Sequence, residues 1–219
     1  MDIQLIKTKD GSHSLYVPDL KENYHSSAGA ITESNHIFIK NGLLQSFKNP
    51  VFIFEIGFGT GLNALLSRLA SEKVEKNIFY TSIEKYPLEN MIIKDLNYPA
   101  LLNIPQEYFL QLHKAAWNEK IMLDKNFCLH KIKVDWTDFT PQEKYDLVFY
   151  DAFAPDFQPE MWNKEAFKKI YDCMDHGGIL ATYTVKGEVK RGLKNAGFEI
   201  EKIKGPVGGK RENLRAYKP

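Results

Sequence analysis

The pattern of apolar and polar positions changes character near Val51. From there, short apolar runs alternate with stretches of helical spacing. Residues 51–56 (VFIFEI) form such a run ahead of a glycine-rich turn, as expected of a parallel strand buried on both faces. Residues 62–72 place Leu62, Leu65, Leu66 and Leu69 on one face of a helix. The alternation continues with a strand at 78–83, a helix at 88–96, and a helix opened by Pro105 and running to about 117. Strands are expected at 127–134 and 145–151, and a helix at 159–174. A turn at His176, Gly177 and Gly178 leads into a strand at 179–184. A short amphipathic helix at 188–195 ends at Gly197. Strands at 198–203 and 211–217 close the chain around a glycine-containing loop at 205–209.

Strands alternating with helices predict an α/β fold of Rossmann-like type, with a mostly parallel sheet, helices on both faces and an antiparallel C-terminal strand. Sheets of this kind bind ligands beyond the carboxyl ends of their strands. The first 50 residues read differently. Asp10 and Gly11 form a turn between extended pieces at 3–8 and 14–17, and 21–27 is a polar loop. Residues 32–47 have helix-like spacing at Ile37, Leu44 and Phe47, interrupted at Asn41 and Gly42. Residues 1–50 are therefore assigned as an extension packing on a domain at 51–219. No 20–50-residue repeat is visible, which excludes a solenoid.

Composition narrows the classes. With 43% hydrophobic and 26% charged residues, the chain can build a core and is not disordered. No run approaches the roughly 20 apolar residues that span a bilayer, and the N-terminus lacks an apolar signal core. A cytoplasmic location and no membrane partner are expected. Cys128 and Cys173 form no CxxC pair, and the six histidines lack helical i, i+4 metal spacing. No metal site is expected, and the absence of G-x-S-x-G argues against a serine hydrolase. The net charge of +1 conceals an asymmetry: residues 186–219 hold ten Lys and Arg against four Glu, leaving residues 1–185 at −5. A basic C-terminal segment on a near-neutral body points toward a polyanionic partner.

The chemistry starts at Glu55-Ile56-Gly57-Phe58-Gly59-Thr60-Gly61, a glycine turn between a strand and a helix. Leu62 stands where a dinucleotide fingerprint requires its third glycine, and Glu55 would repel a pyrophosphate. The pattern suits a cationic amino acid moiety, and so S-adenosyl-L-methionine rather than NAD. Thr60 and Asn63 belong to the same turn. Glu84, at the end of the second strand and followed by Lys85, is placed to accept ribose hydroxyls. Asp135 is placed to accept an adenine amino group, with Trp136 beside it as a stacking surface. Asp151 ends the strand at 145–151. Four acids at the ends of four strands would converge on one crevice.

These residues resemble a known family. Glu55 to Leu62, Ser82-Ile83-Glu84-Lys85-Tyr86-Pro87-Leu88, and Tyr150-Asp151-Ala152-Phe153-Ala154-Pro155 followed by Pro159-Glu160-Met161-Trp162 are similar to the MnmC-like methyltransferase domain. So are Asp10-Gly11-Ser12, Tyr24-His25-Ser26 with Glu33, and the C-terminal Gly209-Lys210-Arg211-Glu212. The resemblance covers essentially the whole chain. It implies a class I methyltransferase fold and methyl transfer from S-adenosyl-L-methionine to wobble 5-aminomethyl-(2-thio)uridine in a tRNA anticodon arm. Asp151 would orient the amine or take its proton. Tyr24, Glu33, Phe153 and Pro155 would shape the substrate pocket. Lys186, Lys190, Arg191, Lys210, Arg211 and Arg215 would contact phosphates. The bifunctional members carry a flavin-dependent domain that makes the aminomethyl precursor. A chain ending at Pro219 leaves no room for one, so a separate enzyme is expected to supply it. Methylation of a small-molecule amine, or a silent RNA-binding module with the same fold, are the competing readings.

Overall fold

The computed structural model describes residues 3–209 and 211–219. Three short strands open it, β1 (Gln4–Lys7), β2 (His13–Val17) and β3 (Glu22–Asn23), paired antiparallel in that order. Asp10 organises the turn between β1 and β2. One carboxylate oxygen accepts from the Thr8 hydroxyl and the Ser12 N–H, the other from the N–H and hydroxyl of Thr32. Thr32 belongs to helix α1 (Ala30–Ser34), so this acid ties the first hairpin to the first helix. Burial opposes ionisation there, but these bonds win and hold the carboxyl down at about 2.

After α1 the chain takes a π-helical turn over Asn35–Lys40 and a 3₁₀ turn over Leu43–Gln45. The break at Asn41 and Gly42 falls where the sequence predicts, but the apolar face does not. Ile37, Phe38, Ile39 and Leu43 are buried, whereas Leu44 and Phe47 are exposed. A π turn carries more residues than an α turn, so spacing read with a 3.6-residue period selects the wrong positions.

The main body follows as β4 (Val51–Ile56), α2 (Leu62–Lys73), β5 (Ile78–Glu84), α3 (Asn90–Asp95), α4 (Tyr98–Leu102), α5 (Gln106–Lys114), β6 (Lys120–Asp124) and β7 (Phe127–Lys133). It closes with β8 (Tyr145–Tyr150), α6 (Lys164–Cys173), β9 (Met174–Thr182), α7 (Gly187–Ala196), β10 (Glu199–Lys204) and β11 (Glu212–Tyr217). These strands make one eight-stranded sheet in the order β10-β11-β9-β8-β4-β5-β7-β6. β9, β8, β4, β5 and β7 run parallel, while β11 pairs antiparallel with β9 and β6 antiparallel with β7. The architecture is the mostly parallel α/β sheet with antiparallel C-terminal strands that the alternation predicted.

Several boundaries differ. β6 lies inside the stretch left unassigned in sequence; it is an edge strand with Met122 exposed, too short and too polar for a clear alternation. The helix at 105–117 stops at Lys114, and α4 precedes it. The segment 159–174 splits into a 3₁₀ turn at Pro159–Met161 and α6, whose Asn163 caps by accepting from the Ala166 N–H at 2.8 Å. His176, Gly177 and Gly178 lie within β9 rather than in a turn before it. There Gly177 N–H donates to Lys218 O, and Lys218 N–H to Gly178 O, so the C-terminal tail extends the ladder.

Alternate residues of the central strands feed two cores. Leu147 and Phe149 of β8 join α2, α5 and the N-terminal extension, while Val148 and Tyr150 join α6 and α7. Leu15, Ala30 and Ile37 of the extension are fully buried in the first of these. On the other face α7 approaches α6 closely. A Cβ at Gly192 would come within 2.3 Å of the Phe167 ring, so glycine there lets that ring bury, which stabilises by roughly 2–3 kcal/mol.

Candidate active site

The chain leaves β4 for β5 on one side of the sheet and later returns to β8 on the other, so a crevice opens beyond the carboxyl ends of these strands. It widens into a cavity of about 570 Å³, walled by the loops after β4, β5, β7, β8 and β9 and roofed by residues 20–27 of the N-terminal extension. Residues 57–60 form its floor, and Gly57, Gly59 and the following Gly61 are all at positive φ. Gly59 shows why the side chain is missing. Its N–H donates to Glu84 Oε2 at 3.0 Å, and a Cβ there would stand 3.2 Å from the Tyr24 ring. Asn63 follows in the first turn of α2 and donates through Nδ2 to Asp151 Oδ2 at 2.8 Å.

Three acids predicted at strand ends line this cavity: Glu84, Asp135 and Asp151. Glu84 accepts the Gly59 and Tyr86 N–H groups, one on each oxygen, which fixes its carboxylate in the crevice. Asp135 is engaged more fully than the sequence implied. Lys85 reaches it at 2.5 Å, and the Thr137 N–H and hydroxyl donate to its other oxygen. Lys85 is the main reason its carboxyl sits at about 2. Trp136 lines the cavity but is packed into the second core beside Phe54, with the Lys169 ammonium 4.4 Å from its ring centre. At 4% exposure it does not offer the open stacking face expected of it.

Glu55 departs furthest from expectation. Its side chain is 1% exposed and lies beneath the glycine loop, outside the cavity lining. Burial pushes its carboxyl up to about 8, so it is predominantly neutral where a cofactor ammonium would require a carboxylate.

The N-terminal extension supplies much of the remainder. Tyr24 meets Phe153 edge to face at 5.1 Å, two aromatic walls from distant parts of the sequence. Burial, then Glu84, pushes the Tyr24 phenol above its ordinary value. Glu33 lines the cavity and accepts the Ser26 N–H at 2.8 Å. His25, which the sequence reading assigned no role, lies between Ser14 and Thr60, with Nδ1 3.1 Å from Ser14 Oγ and Nε2 3.5 Å from Thr60 Oγ1. Desolvation brings its pKa down to about 4, so the ring is neutral. Tyr183, also missed, donates to Ala152 O at 3.0 Å from the loop after β9. In sequence it stood at the end of a strand on the ligand side, within the stretch 178–184 that shares the family resemblance.

Other assignments lie outside the cavity. Pro155 is buried in the turn after β8 and does not line it. Lys186 pairs with Asp156 at 2.5 Å, and Arg191 and Arg211 are exposed. Lys210 lies outside the described residues. Arg215 is structural, being 9% exposed, bound to Glu201 at 2.7 Å and donating to Asn41 O. It is not available to a phosphate.

Among the described residues, six acids (Glu22, Glu33, Glu84, Asp135, Asp151 and Glu160) line the cavity against one lysine, Lys85. Such a chamber attracts cations and rejects a pyrophosphate. The glycine floor, the fixed Glu84 carboxylate and this negative lining fit S-adenosyl-L-methionine, which carries a sulfonium and an ammonium.

Comparison with known proteins agrees. Residues 92–219 match the model of an S-adenosyl-L-methionine-dependent methyltransferase family. Over 226 residues the chain is 31% identical to the tRNA 5-methylaminomethyl-2-thiouridine biosynthesis bifunctional protein MnmC of Marinomonas sp. (strain MWYL1), covering 93% of this chain and 32% of that protein. With the protein of the same name from Actinobacillus pleuropneumoniae serotype 5b it shares 32% identity, covering 90% and 32%. The chain thus spans about a third of the length of these curated relatives. The crystal structure of MnmC2 from Aquifex aeolicus superposes with a TM-score of 0.81 at 25% identity, covering all of this chain and 70% of that one. Spermidine synthase from Thermotoga maritima, at a TM-score of 0.54 and 11% identity, shares the fold alone. The chain belongs to the S-adenosyl-L-methionine-dependent methyltransferase family, and the relatives it matches along nearly its whole length are MnmC-like.

Proposed function

We propose that this methyltransferase converts wobble 5-aminomethyl-(2-thio)uridine in tRNA to 5-methylaminomethyl-(2-thio)uridine. The observation that carries the reading is Asp151, held by Asn63 at the switch point of the sheet, facing an acidic cavity with aromatic walls. The names of the curated relatives point to the same modification.

S-adenosyl-L-methionine supplies an electrophilic methyl group when bound. Gly57, Gly59, Thr60, Gly61 and Asn63 would hold its amino acid portion, and Glu84, Lys85 and Asp135 its nucleoside. An alkylamine resembles lysine, with a pKa of roughly 10.4, so the substrate arrives protonated and without a free lone pair. Asp151 would anchor that ammonium and accept its proton directly or through water. Its charge also favours the ammonium form, so orienting the nitrogen matters more than basicity. Tyr24 and Phe153 would form one aromatic wall against the flipped uracil, and that contact repays part of the cost of leaving the anticodon loop. Glu33 keeps the roof closed through Ser26. Lys186, Arg191, Lys210 and Arg211 would follow the phosphate backbone.

Because the site methylates an amine already present, a separate activity must first produce the aminomethyl group. A tRNA substrate supports a cytoplasmic location, and among the described residues no helix is long and apolar enough to cross a membrane. The deciding experiment offers labelled S-adenosyl-L-methionine with tRNA carrying wobble aminomethyluridine, reads the nucleosides by mass spectrometry, and uses unmodified transcript as control. Methylaminomethyluridine on the modified tRNA alone is the expected result. Cofactor binding without transfer to either RNA would refute the substrate.

A further inference from the structure

The glycine turn is also held from outside the cavity, by groups the mechanism above does not use. His113, in the last turn of α5, does not line the cavity, yet its Nε2 stands 3.1 Å from Thr60 O. A carbonyl oxygen only accepts, so this nitrogen carries the proton. Burial, then Lys131, brings the ring down to about 3, so it is neutral and its Nδ1 is bare. The approach is close: a Cβ at Gly61 would stand 3.0 Å from His113 Nε2. Phe58 and Phe109 meet the imidazole edge to face at 5.4 and 4.9 Å and fix its plane.

Lys131 of β7 anchors the other end of this residue. It is 1% exposed, and its ammonium donates to His113 O at 2.8 Å. That carbonyl lies in the last turn of α5, where carbonyls lack intrahelical donors and a cation is favoured. The Trp117 and Phe58 rings face the same ammonium at 4.5 and 5.3 Å. Donors therefore run in series from β7 through α5 to the glycine turn. The peptide between Thr60 and Gly61 is fixed at both ends, because its N–H donates to Phe58 O at 2.8 Å and its carbonyl accepts from His113. The next residue, Leu62, opens α2, whose first N–H groups have no intrahelical acceptor. Leu62 and Asn63 both line the cavity, so the preceding peptide sets where these donors aim.

We infer that His113 is a positioning residue for the cofactor: its Nε2–H, anchored through Lys131, holds the Thr60 carbonyl back, so that the glycine turn and the first amides of α2 are set for S-adenosyl-L-methionine before it binds. Thr60 is 2% exposed, so without this donor its carbonyl would be a buried acceptor left unpaired. Turning over to find another partner would bring the negative end of the peptide toward the lining carboxylates. α5 thus serves the cofactor site through Thr60, without His113 touching the ligand. The inference rests on the assignment of residues 57–63 to the cofactor; the bond from His113 to Thr60 does not.

The test uses the full chain labelled with ¹⁵N, without tRNA, and S-adenosylhomocysteine, the product left by methyl transfer, as the probe. Long-range proton–nitrogen NMR spectra report the tautomer of each histidine, and His113→Gln identifies the His113 signals by their loss. A proton on Nε2 and none on Nδ1 is the expected result; the opposite tautomer would overturn the inference. Calorimetry then compares His113→Gln, whose amide can still donate to Thr60 O, with His113→Leu, which cannot. Affinity for the probe is expected to fall about tenfold or more in Leu and to stay within about threefold of wild type in Gln. Equal losses in both variants would make His113 a packing residue and overturn the inference. In the same samples, the amide signals of Gly57, Gly59 and Gly61 should shift as the probe binds. If they shift while His113→Leu binds as tightly as wild type, the inference fails and the cofactor assignment stands. If the probe binds and they do not move, the cofactor assignment fails and the inference falls with it.

Discussion

Replacing Asp151 by Asn removes one charge and little else. The amide retains an oxygen in place of Oδ2, so the 2.8 Å bond from Asn63 Nδ2 has an acceptor and the floor of the cavity keeps its shape. The lost interaction is attraction to the substrate ammonium together with capacity to accept its proton. An ammonium about 4 Å from a carboxylate at an effective dielectric near 20 is held by about 4 kcal/mol. Glu33 and Glu84 still line the cavity and retain part of that field, so about half survives. Loss of a general base contributes a further 10²–10⁴-fold at most. The expected fall in kcat/KM lies near 10³-fold, about 4 kcal/mol in the barrier. The assay is initial-rate transfer of labelled methyl to aminomethyluridine tRNA, with cofactor affinity measured separately by calorimetry. Affinity for S-adenosyl-L-methionine should remain within about threefold, because the six-acid lining loses one member. A folded Asp151→Asn protein with kcat/KM within about tenfold of wild type would refute the charge argument.

Arg68 is a structural counterpart. It is 1% exposed, binds Asp124 through Nε at 2.5 Å and Nη2 at 2.9 Å, donates to Tyr108 O and Gln111, and lies 3.6 Å over the Tyr108 ring. Arg68→Met is expected to cost about 3–4 kcal/mol and to lower Tm by roughly 6–16 °C; a loss under about 1 kcal/mol in urea unfolding would contradict this account. Acid should weaken the N-terminal roof. Desolvation holds His25 at about 4 and His113 at about 3 against 6.5 unperturbed, so the unfolded chain binds more protons and stability falls as pH drops below 6.5. Unfolding at pH 5 and 7 should reveal this slope, and His25→Gln should flatten it. On tRNA, the double change Arg191→Ala and Arg211→Ala should lower the slope of log K against log salt by about 1–2, measured by filter binding; an unchanged slope would remove both from the phosphate path.

Fold class and the line of the crevice are legible in the chain's local patterns. Apolar runs such as residues 51–56 and 145–150 have only one stable use, as strands covered on both faces. Glycines at 57, 59 and 61 mark where backbone must come close to a ligand. Both signals are local, and a local signal survives in one dimension. The π turn at Asn35–Lys40 and the edge strand β6 escaped because each is held by neighbours rather than by its own periodicity.

Which acids face the cavity depends on the folded chain. Glu55, Glu84, Asp135 and Asp151 all stand at or near strand ends, yet strand pleating buries Glu55 and turns Asp151 into the crevice. The Lys85 partner of Asp135, the packing of Trp136 under Lys169 and the bond from Arg215 to Asn41 O likewise join residues far apart in the chain. So does the roof, where Tyr24 reaches Phe153 across the sheet. A side chain's charge and reach depend on solvation and on groups brought in from elsewhere, and those exist only once the chain has folded.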